Sequence, residues 1–450
     1  MADPRIHAES LIAPVLTAPA TGTGDRRDAG LNRAIGPWGL AAIAANILMG
    51  TAFYVVPGEM ARLGALSPWA LAGCGLALSG VVLVLAEGGS RVPASGGVYA
   101  LAEAAFGPVA GAAAGGLKLC MLTFAGSGVL AAAADQAAKL APGLHDPVPR
   151  AVFVLACLAL FTWNAARGAG ESADALKSLV ALKLVPPIVF LVVALAFVPA
   201  SPAAHVAAVA PGGIGKALLL GAFFFFGAES ALAVGGETER PSRTIPLGLL
   251  GAMGAYTLLG CLIQWTVWRA SGPAAIGSGA PLADIVGPVS PVFAVLVVAG
   301  GTVAALGCVA GMVVCVPRIV FAYARRGVLP GWLGAVDRRT AAPTRAIVVT
   351  ATMMAAATFS GGYVVLASIG TVAGIAVYLF GTAASLRLRA RGVALGGKPL
   401  RLAVTPALAF LGCAGLIAIL STASWREFAW TGAAAALFAG LAWLRGAKAG

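Results

Sequence analysis

Apolar runs of about 20 residues follow one another along almost the whole chain, with short polar segments between them. The runs are continuous rather than alternating, so each predicts a helix that crosses a lipid bilayer and not a strand of a membrane β-barrel. Twelve spans are predicted, at residues 37–60, 68–88, 108–134, 150–168, 175–198, 214–236, 246–269, 290–322, 344–360, 363–386, 401–421 and 427–445.

The composition supports this assignment and narrows the chemistry. Sixty per cent of the residues are hydrophobic and 10% are charged, a balance foreign to soluble domains. All seven cysteines fall inside apolar runs and all three histidines fall outside them, so neither disulfides nor a metal site in the membrane is expected. The sequence therefore predicts an all-α polytopic membrane protein that needs no cofactor and no metal.

The basic residues indicate the orientation. Only six of the 30 Lys and Arg residues lie in loops that are outside when both termini are inside: Arg62, Lys139, Arg150, Lys216, Arg269 and Arg426. This asymmetry follows the positive-inside rule, so we expect both termini in the cytoplasm, beginning with a disordered tail at residues 1–34. It also accounts for the net charge of +13 without nucleic acid as a partner.

The sixth predicted span contains a carboxylate near its middle. Glu229 lies 13 residues into the apolar run, about 20 Å along a helix, where a charge costs about 2.5–3.5 kcal/mol. Gly227 beside it can open the helix and free backbone groups, which is tolerated at that depth only around a cavity. Glu229 is therefore a candidate functional residue; the alternative is a glutamate that only joins two helices.

The first predicted span has a similar interruption, at Gly50 and Thr51. Because spans one and six are five apart, they enter the membrane from opposite sides, as in inverted-repeat transporters. Chance is the alternative, since the chain has 60 glycines. The pairing predicts two five-helix repeats, at residues 35–200 and 201–390, followed by two extra helices at residues 391–450.

Four segments carry a family resemblance, at residues 50–53 with Pro57, 86–99, 225–246 and 318–330. In this order they resemble motifs of the amino acid–polyamine–organocation superfamily of permeases. The resemblance implies a ten-helix core of two inverted repeats with discontinuous helices 1 and 6. It also implies transport of an amino acid or a related amine across the cell membrane, the inner membrane in a bacterium.

The resemblance further implies a substrate site. The opened backbone of span one would receive the substrate carboxylate, because free amides at a helix N-terminus favour an anion. The opened carbonyls of span six would receive the ammonium group, and Phe226 or a neighbour would close over the substrate. The substrate-binding residues are expected to be Gly50, Thr51, Ala52, Lys118, Phe225, Phe226, Gly227 and Tyr378.

Within the superfamily the sixth span most resembles the arginine/agmatine antiporter, which implies a role for Glu229 in proton-linked transport. Lys118 lies about 15 Å into span three and could pair with Glu229. Such a pair would leave no spare negative charge for a cationic side chain, which argues against arginine as substrate. The alternative is that Lys118 extends to the membrane surface or contacts only protein.

Lys183, in the fifth predicted span, is a second candidate for coupling. In sodium-independent relatives a lysine in this span stands where sodium would otherwise bind, and a buried lysine can exchange protons. Residues 303–324 of span eight contain no Ser or Thr, the oxygen ligands that sodium would need there. We expect proton coupling or uncoupled exchange; the alternative is that Lys183 marks the cytoplasmic end of its span.

Other classes of function fit less well. A channel would need rings of charge or filter carbonyls, and a sensor a soluble output domain longer than residues 1–34. An intramembrane enzyme would need a constellation of His, Asp and Glu residues in the membrane. We therefore predict a transporter that is not an enzyme, keep a non-transporting sensor or channel on the same fold as the alternative, and leave monomer and homodimer open.

Overall fold

The computed structural model describes residues 36–449 except 93–97, 168–172, 202–210, 230–240, 326, 338–339, 341 and 395–398. Regular structure in these ranges is helical throughout. The α-helices are α1 (Pro37–Leu48), α2 (Ala52–Met60), α3 (Ser67–Arg91), α4 (Val98–Phe106), α5 (Pro108–Leu140), α6 (Pro147–Ala166), α7 (Ala173–Phe197), α8 (Pro211–Phe223), α9 (Pro241–Ser271), α10 (Pro281–Val286), α11 (Pro291–Arg325), α12 (Thr344–Ser360), α13 (Tyr363–Ala390), α14 (Thr405–Leu420) and α15 (Trp425–Ala449).

The helices are those of a multi-pass membrane protein. Within the described ranges, seven helical stretches are long and apolar enough to cross a bilayer by length and composition: Ala52–Arg91, Pro108–Leu140, Pro147–Ala166, Pro246–Ala275, Pro291–Arg325, Tyr363–Ala390 and Trp425–Leu444. Four apolar helices are shorter. A described helix overlaps every predicted span, whereas the count of twelve crossings and the inverted repeat remain predictions.

The first predicted span is interrupted where the sequence placed its glycine. Helix α1 ends at Leu48, Met49 leaves the helical region with φ −76° and ψ 69°, and α2 begins at Ala52. The Leu48 carbonyl, freed by this interruption, accepts the Gly50 N–H at 2.8 Å and the Tyr256 hydroxyl of α9 at 2.7 Å. These two bonds replace the helical partner that the carbonyl lacks, so the break is tolerated inside the bundle.

The sixth predicted span is also interrupted. Helix α8 ends at Phe223, and the N–H groups of Phe225 and Phe226 bond three residues back instead of four, at 3.1 Å each. Gly227 then takes a φ of 109°, a left-handed conformation that residues with a side chain rarely adopt. Residues 230–240, the rest of this predicted span, lie outside the described residues.

Helix α5 is the central element of the bundle, and it packs closely on α11 and α13. A Cβ on Gly115 of α5 would overlap the Tyr323 side chain of α11. A Cβ on Gly370 of α13 would lie 3.0 Å from the backbone nitrogen of Ala125 on α5. Only glycine permits this approach. Lys118 lies one turn beyond Gly115 and is thereby held inside the bundle.

One predicted boundary differs from the structure. The second predicted span ends at residue 88, but α3 continues to Arg91. Arg91 Nη2 donates to Glu87 Oε1 at 2.7 Å, one turn earlier, and the side chains of both residues are only 2% exposed. This buried pair at helical spacing keeps the last turn of α3 helical.

Candidate functional site

The two interruptions face each other. The ring of Phe53, just after the first break, lies 5.0 Å from the ring of Phe224, just before the second, with an interplanar angle of 87°. The ring of Tyr256 lies 4.6 Å from Phe53 and 4.5 Å from Phe224. These aromatic contacts, one edge-on and two tilted, hold the two opened segments side by side.

The first opened segment combines a bare backbone with buried polar contacts. Gly50 is buried, and a Cβ placed on it would meet only Cys308 of α11, with Sγ at 3.4 Å. The Thr51 hydroxyl is 1% exposed and accepts an N–H from Gln136 of α5 at 3.2 Å. Ala52 is the first residue of α2, and its N–H is one of the leading donors that lack a partner within the helix, whereas the Tyr54 N–H bonds to the Thr51 carbonyl at 3.0 Å.

The second opened segment carries a buried ion pair. Lys118 of α5 donates to Glu229 Oε1, and the Tyr378 hydroxyl of α13 donates to Oε2. The N–H of Gly227 also donates to Oε2, at 3.1 Å. The Glu229 side chain is 6% exposed and that of Lys118 is 20% exposed. Both carboxylate oxygens are therefore satisfied by donors from three separate elements.

The adjacent phenylalanines point in different directions. The Phe226 ring lies 5.2 Å from the Tyr378 ring and would contact a Cβ on Gly374 at 2.5 Å, so it packs on α13. Phe225 is fully buried, with its ring 5.8 Å from that of Tyr256. The structure thus brings Phe226 to the ion pair, while the Phe225 side chain packs into the core.

The predicted site residues form two groups along α5. Lys118 and Gln136 are 18 positions apart, about 27 Å along the helix axis. Thr51 bonds to Gln136, and Glu229 bonds to Lys118. The two contacts therefore lie on either side of the interrupted segments and not at one point.

Lys183 of α7 lies close to the first group. It is 5% exposed, and its Cε lies 3.9 Å from the position of a Cβ on Gly307 of α11. Gly307 precedes Cys308, the residue that faces Gly50. Lys183 is therefore buried near the first interruption, while its role in coupling and its position relative to the cytoplasmic end of the span stay predictions.

The sequence profile of the amino acid permeases matches residues 35–441. The chain belongs to this family. The permease is therefore a transporter and not an enzyme, and its expected substrates are small molecules of the amino acid class.

Similarity to individual proteins extends over most of the permease. It is 29% identical to an uncharacterized transporter of Mycobacterium tuberculosis over 423 residues, 91% of this chain and 86% of that protein. It is 28% identical to a branched-chain amino acid permease of Bacillus subtilis, covering 70% of this chain and 71% of the relative. It is 25% identical to the vacuolar cationic amino acid transporter 8 of Arabidopsis thaliana, covering 78% of this chain and 62% of the relative.

Several polar residues of the permease site were not predicted from the sequence. Tyr256 and Gln264 of α9 bond to carbonyls on either side of the first break, and Gln264 Nε2 reaches the Pro57 carbonyl at 3.1 Å. Gln136 bonds to Thr51. A lone tyrosine or glutamine inside an apolar span was the available signal, because a buried polar side chain needs a partner.

Proposed function

We propose that this permease moves an amino acid or a related amine across the cell membrane by alternating access. The observation that carries the proposal is the meeting of two interrupted helices at Phe53 and Phe224. Opened backbone is tolerated in a bilayer only where it is buried in protein or lines a cavity, and two such segments side by side are typical of a transporter's substrate site. Both termini would lie in the cytoplasm, as the distribution of basic residues predicts.

The substrate carboxylate would bind at the first break. The N-terminal N–H groups of α2 favour an anion, and Gly50 has no side chain to obstruct its approach. The ammonium group would bind the opened segment that contains the carbonyls of Phe225 and Phe226. Phe226 would then close over the substrate. In the structure its ring lies against Tyr378 of α13.

Two ionisable residues are candidates for coupling. Lys183 lies buried near Cys308, which borders the proposed carboxylate site, so a change in its charge would be felt there. Glu229 lies beside the second break, and its protonation would weaken its ion pair with Lys118. We propose that transport is coupled to protons through one of these two residues, or else is an uncoupled exchange.

Binding and transport can be tested with one glycine variant and its control. A Cβ on Gly50 meets Cys308 at ordinary contact distance, so Gly50→Ala is expected to fold while obstructing the carboxylate. Gly254→Ala on α9 is the control, because nothing lies within 4 Å of the added Cβ. The ligand panel is free amino acids, amines and methylthioribose, the last because a Bacillus subtilis relative is named for its transport.

The readouts are a thermal shift of detergent-solubilised protein and counterflow in liposomes. A ligand at 100 times its Kd adds about 2.7 kcal/mol, roughly 3 °C for a chain of 450 residues. We expect this shift for wild type and Gly254→Ala and its loss in Gly50→Ala. Binding without counterflow would favour the sensor alternative, and absence of both across the panel would refute the proposal.

The coupling role of Lys183 has a separate test. Lys183→Met should flatten the pH dependence of uptake, because the variant has no proton to exchange at that position. Lys216→Met, at an exposed lysine, should leave the pH profile unchanged. A wild-type profile in Lys183→Met and a flat one in Glu229→Gln would assign coupling to Glu229.

A further inference from the structure

The ion pair beside the second break is asymmetric in its exposure. The Glu229 carboxylate is 6% exposed and accepts from Lys118, Tyr378 and Gly227, whereas the Lys118 side chain is 20% exposed. The Lys118 side chain is therefore the more accessible member of the pair. The negative charge is already compensated from within the protein.

The surroundings of the pair are apolar. Lys118 Nζ lies 3.9 Å from the sulfur of Met121, which belongs to a buried cluster with Cys120, Ile369 and Ala373. The Phe226 ring packs against the same cluster. A neutral ion pair set in such a lining offers contact area to an apolar side chain and offers no uncompensated charge to a polar one.

We propose that Lys118 is a specificity-determining residue, and that its pairing with Glu229 restricts the permease to amino acids with neutral, apolar side chains. This inference rests on the proposed function, which it refines by naming the substrate class. Lysine or arginine as substrate would have to place a second cation beside the Lys118 ammonium group, and like charges at close range repel. Removal of the lysine charge exposes Glu229 as a cation site.

The test is a charge series at the two positions. Lys118→Met removes the charge with little change in length, Glu229→Gln removes the opposite charge, and the double variant removes both. Lys139→Met is the matched control, because Lys139 is another lysine of α5 whose ion pair, with Asp284 at 3.0 Å, is 40% exposed on the lysine side. Binding of leucine and of lysine is measured for each protein by thermal shift and by competition.

Wild type and the Lys139→Met control are expected to prefer leucine at least tenfold. Lys118→Met should gain at least tenfold in affinity for lysine, and the double variant should lose that gain. Lys118→Gln keeps a donor to Glu229 without the charge, and its affinity for lysine should also rise. This variant replaces Lys118→Met if the methionine variant does not fold.

The outcomes distinguish a failure of this inference from a failure of the proposed function. If the wild-type protein binds no amino acid, the proposed function fails and the inference falls with it. If the wild-type protein prefers lysine, or if both uncharged Lys118 variants keep the wild-type preference for leucine, the specificity role is refuted while amino acid transport stands.

Discussion

The most demanding stability prediction concerns Glu87, at the end of α3. Its carboxylate accepts from Arg91 at 2.7 Å, from Arg389 of α13 at 2.8 and 2.9 Å, from the Leu402 N–H at 3.3 Å and from the Thr405 hydroxyl of α14. One carboxylate thus joins α3 to α13 and α14, through residues 302 and 318 positions further along the chain. The perturbation is Glu87→Gln, which keeps the shape and removes the charge.

The magnitude follows from burial. Removing one partner of a buried ion pair costs about 3–5 kcal/mol, because the other charge stays buried and uncompensated. Arg91 is 1% exposed and bears this penalty, whereas Arg389, with 29% of its side chain exposed, is partly screened by solvent. The glutamine oxygen still accepts one hydrogen bond, so we expect the lower limit, about 3 kcal/mol. With an unfolding entropy of about 2 cal/mol/K per residue over 450 residues, this lowers Tm by roughly 3 °C.

The assay is thermal unfolding in detergent, with Asp284→Asn as the control. Asp284 also forms an ion pair, with Lys139, but its side chain is 46% exposed, so loss of this charge should cost about 1 kcal/mol or less. The double variant Glu87→Gln/Arg389→Gln should be less destabilised than the sum of its single variants, because the charges interact. A Glu87→Gln variant that melts within 1 °C of wild type, or losses that simply add, would refute the reasoning.

Two glycine contacts give further predictions. A Cβ on Gly300 of α11 would overlap the Pro186 ring of α7, which cannot rotate away, so Gly300→Ala should lower stability by about 1–3 kcal/mol. Gly311→Ala on the same helix meets nothing within 4 Å and should melt like wild type; equal losses in the two variants would contradict the steric argument. A Cβ on Gly374 would lie 2.5 Å from the Phe226 ring, so Gly374→Ala should displace the ring and slow uptake at equal protein amounts. Wild-type uptake in this variant would show that the ring position is irrelevant to transport.

Much of the architecture could be predicted because membrane helices are specified locally. Each apolar run had to satisfy its backbone within itself, so described helices overlap every predicted span. The interruptions at Gly50 and Gly227 were also foreseen, because glycine next to a polar residue in a long apolar run is a local signal. The pairing of Lys118 with Glu229 was suggested by charge alone, since two opposite charges at membrane depth are expensive apart.

The remainder depended on information that the sequence does not hold locally. The hydroxyl of Tyr256 bonds to Leu48, 208 positions away, and nothing in either segment identifies the other. Arg389 lies 302 positions from Glu87, and nothing near either residue predicts this partnership. The different directions of the Phe225 and Phe226 side chains likewise depend on the exact course of the chain near Gly227.

The bonds made by α9 have a consequence for motion. Its Tyr256 hydroxyl binds the Leu48 carbonyl at the end of α1, and its fully buried Gln264 amide binds the Pro57 carbonyl within α2. The angle between α1 and α2 cannot change freely while both bonds persist, and a buried donor left without a partner costs about 1–3 kcal/mol. The gap at Gly50 is therefore braced by α9, and a change in its angle costs one or both of these bonds. While both bonds persist, α1, α2 and α9 are expected to move together.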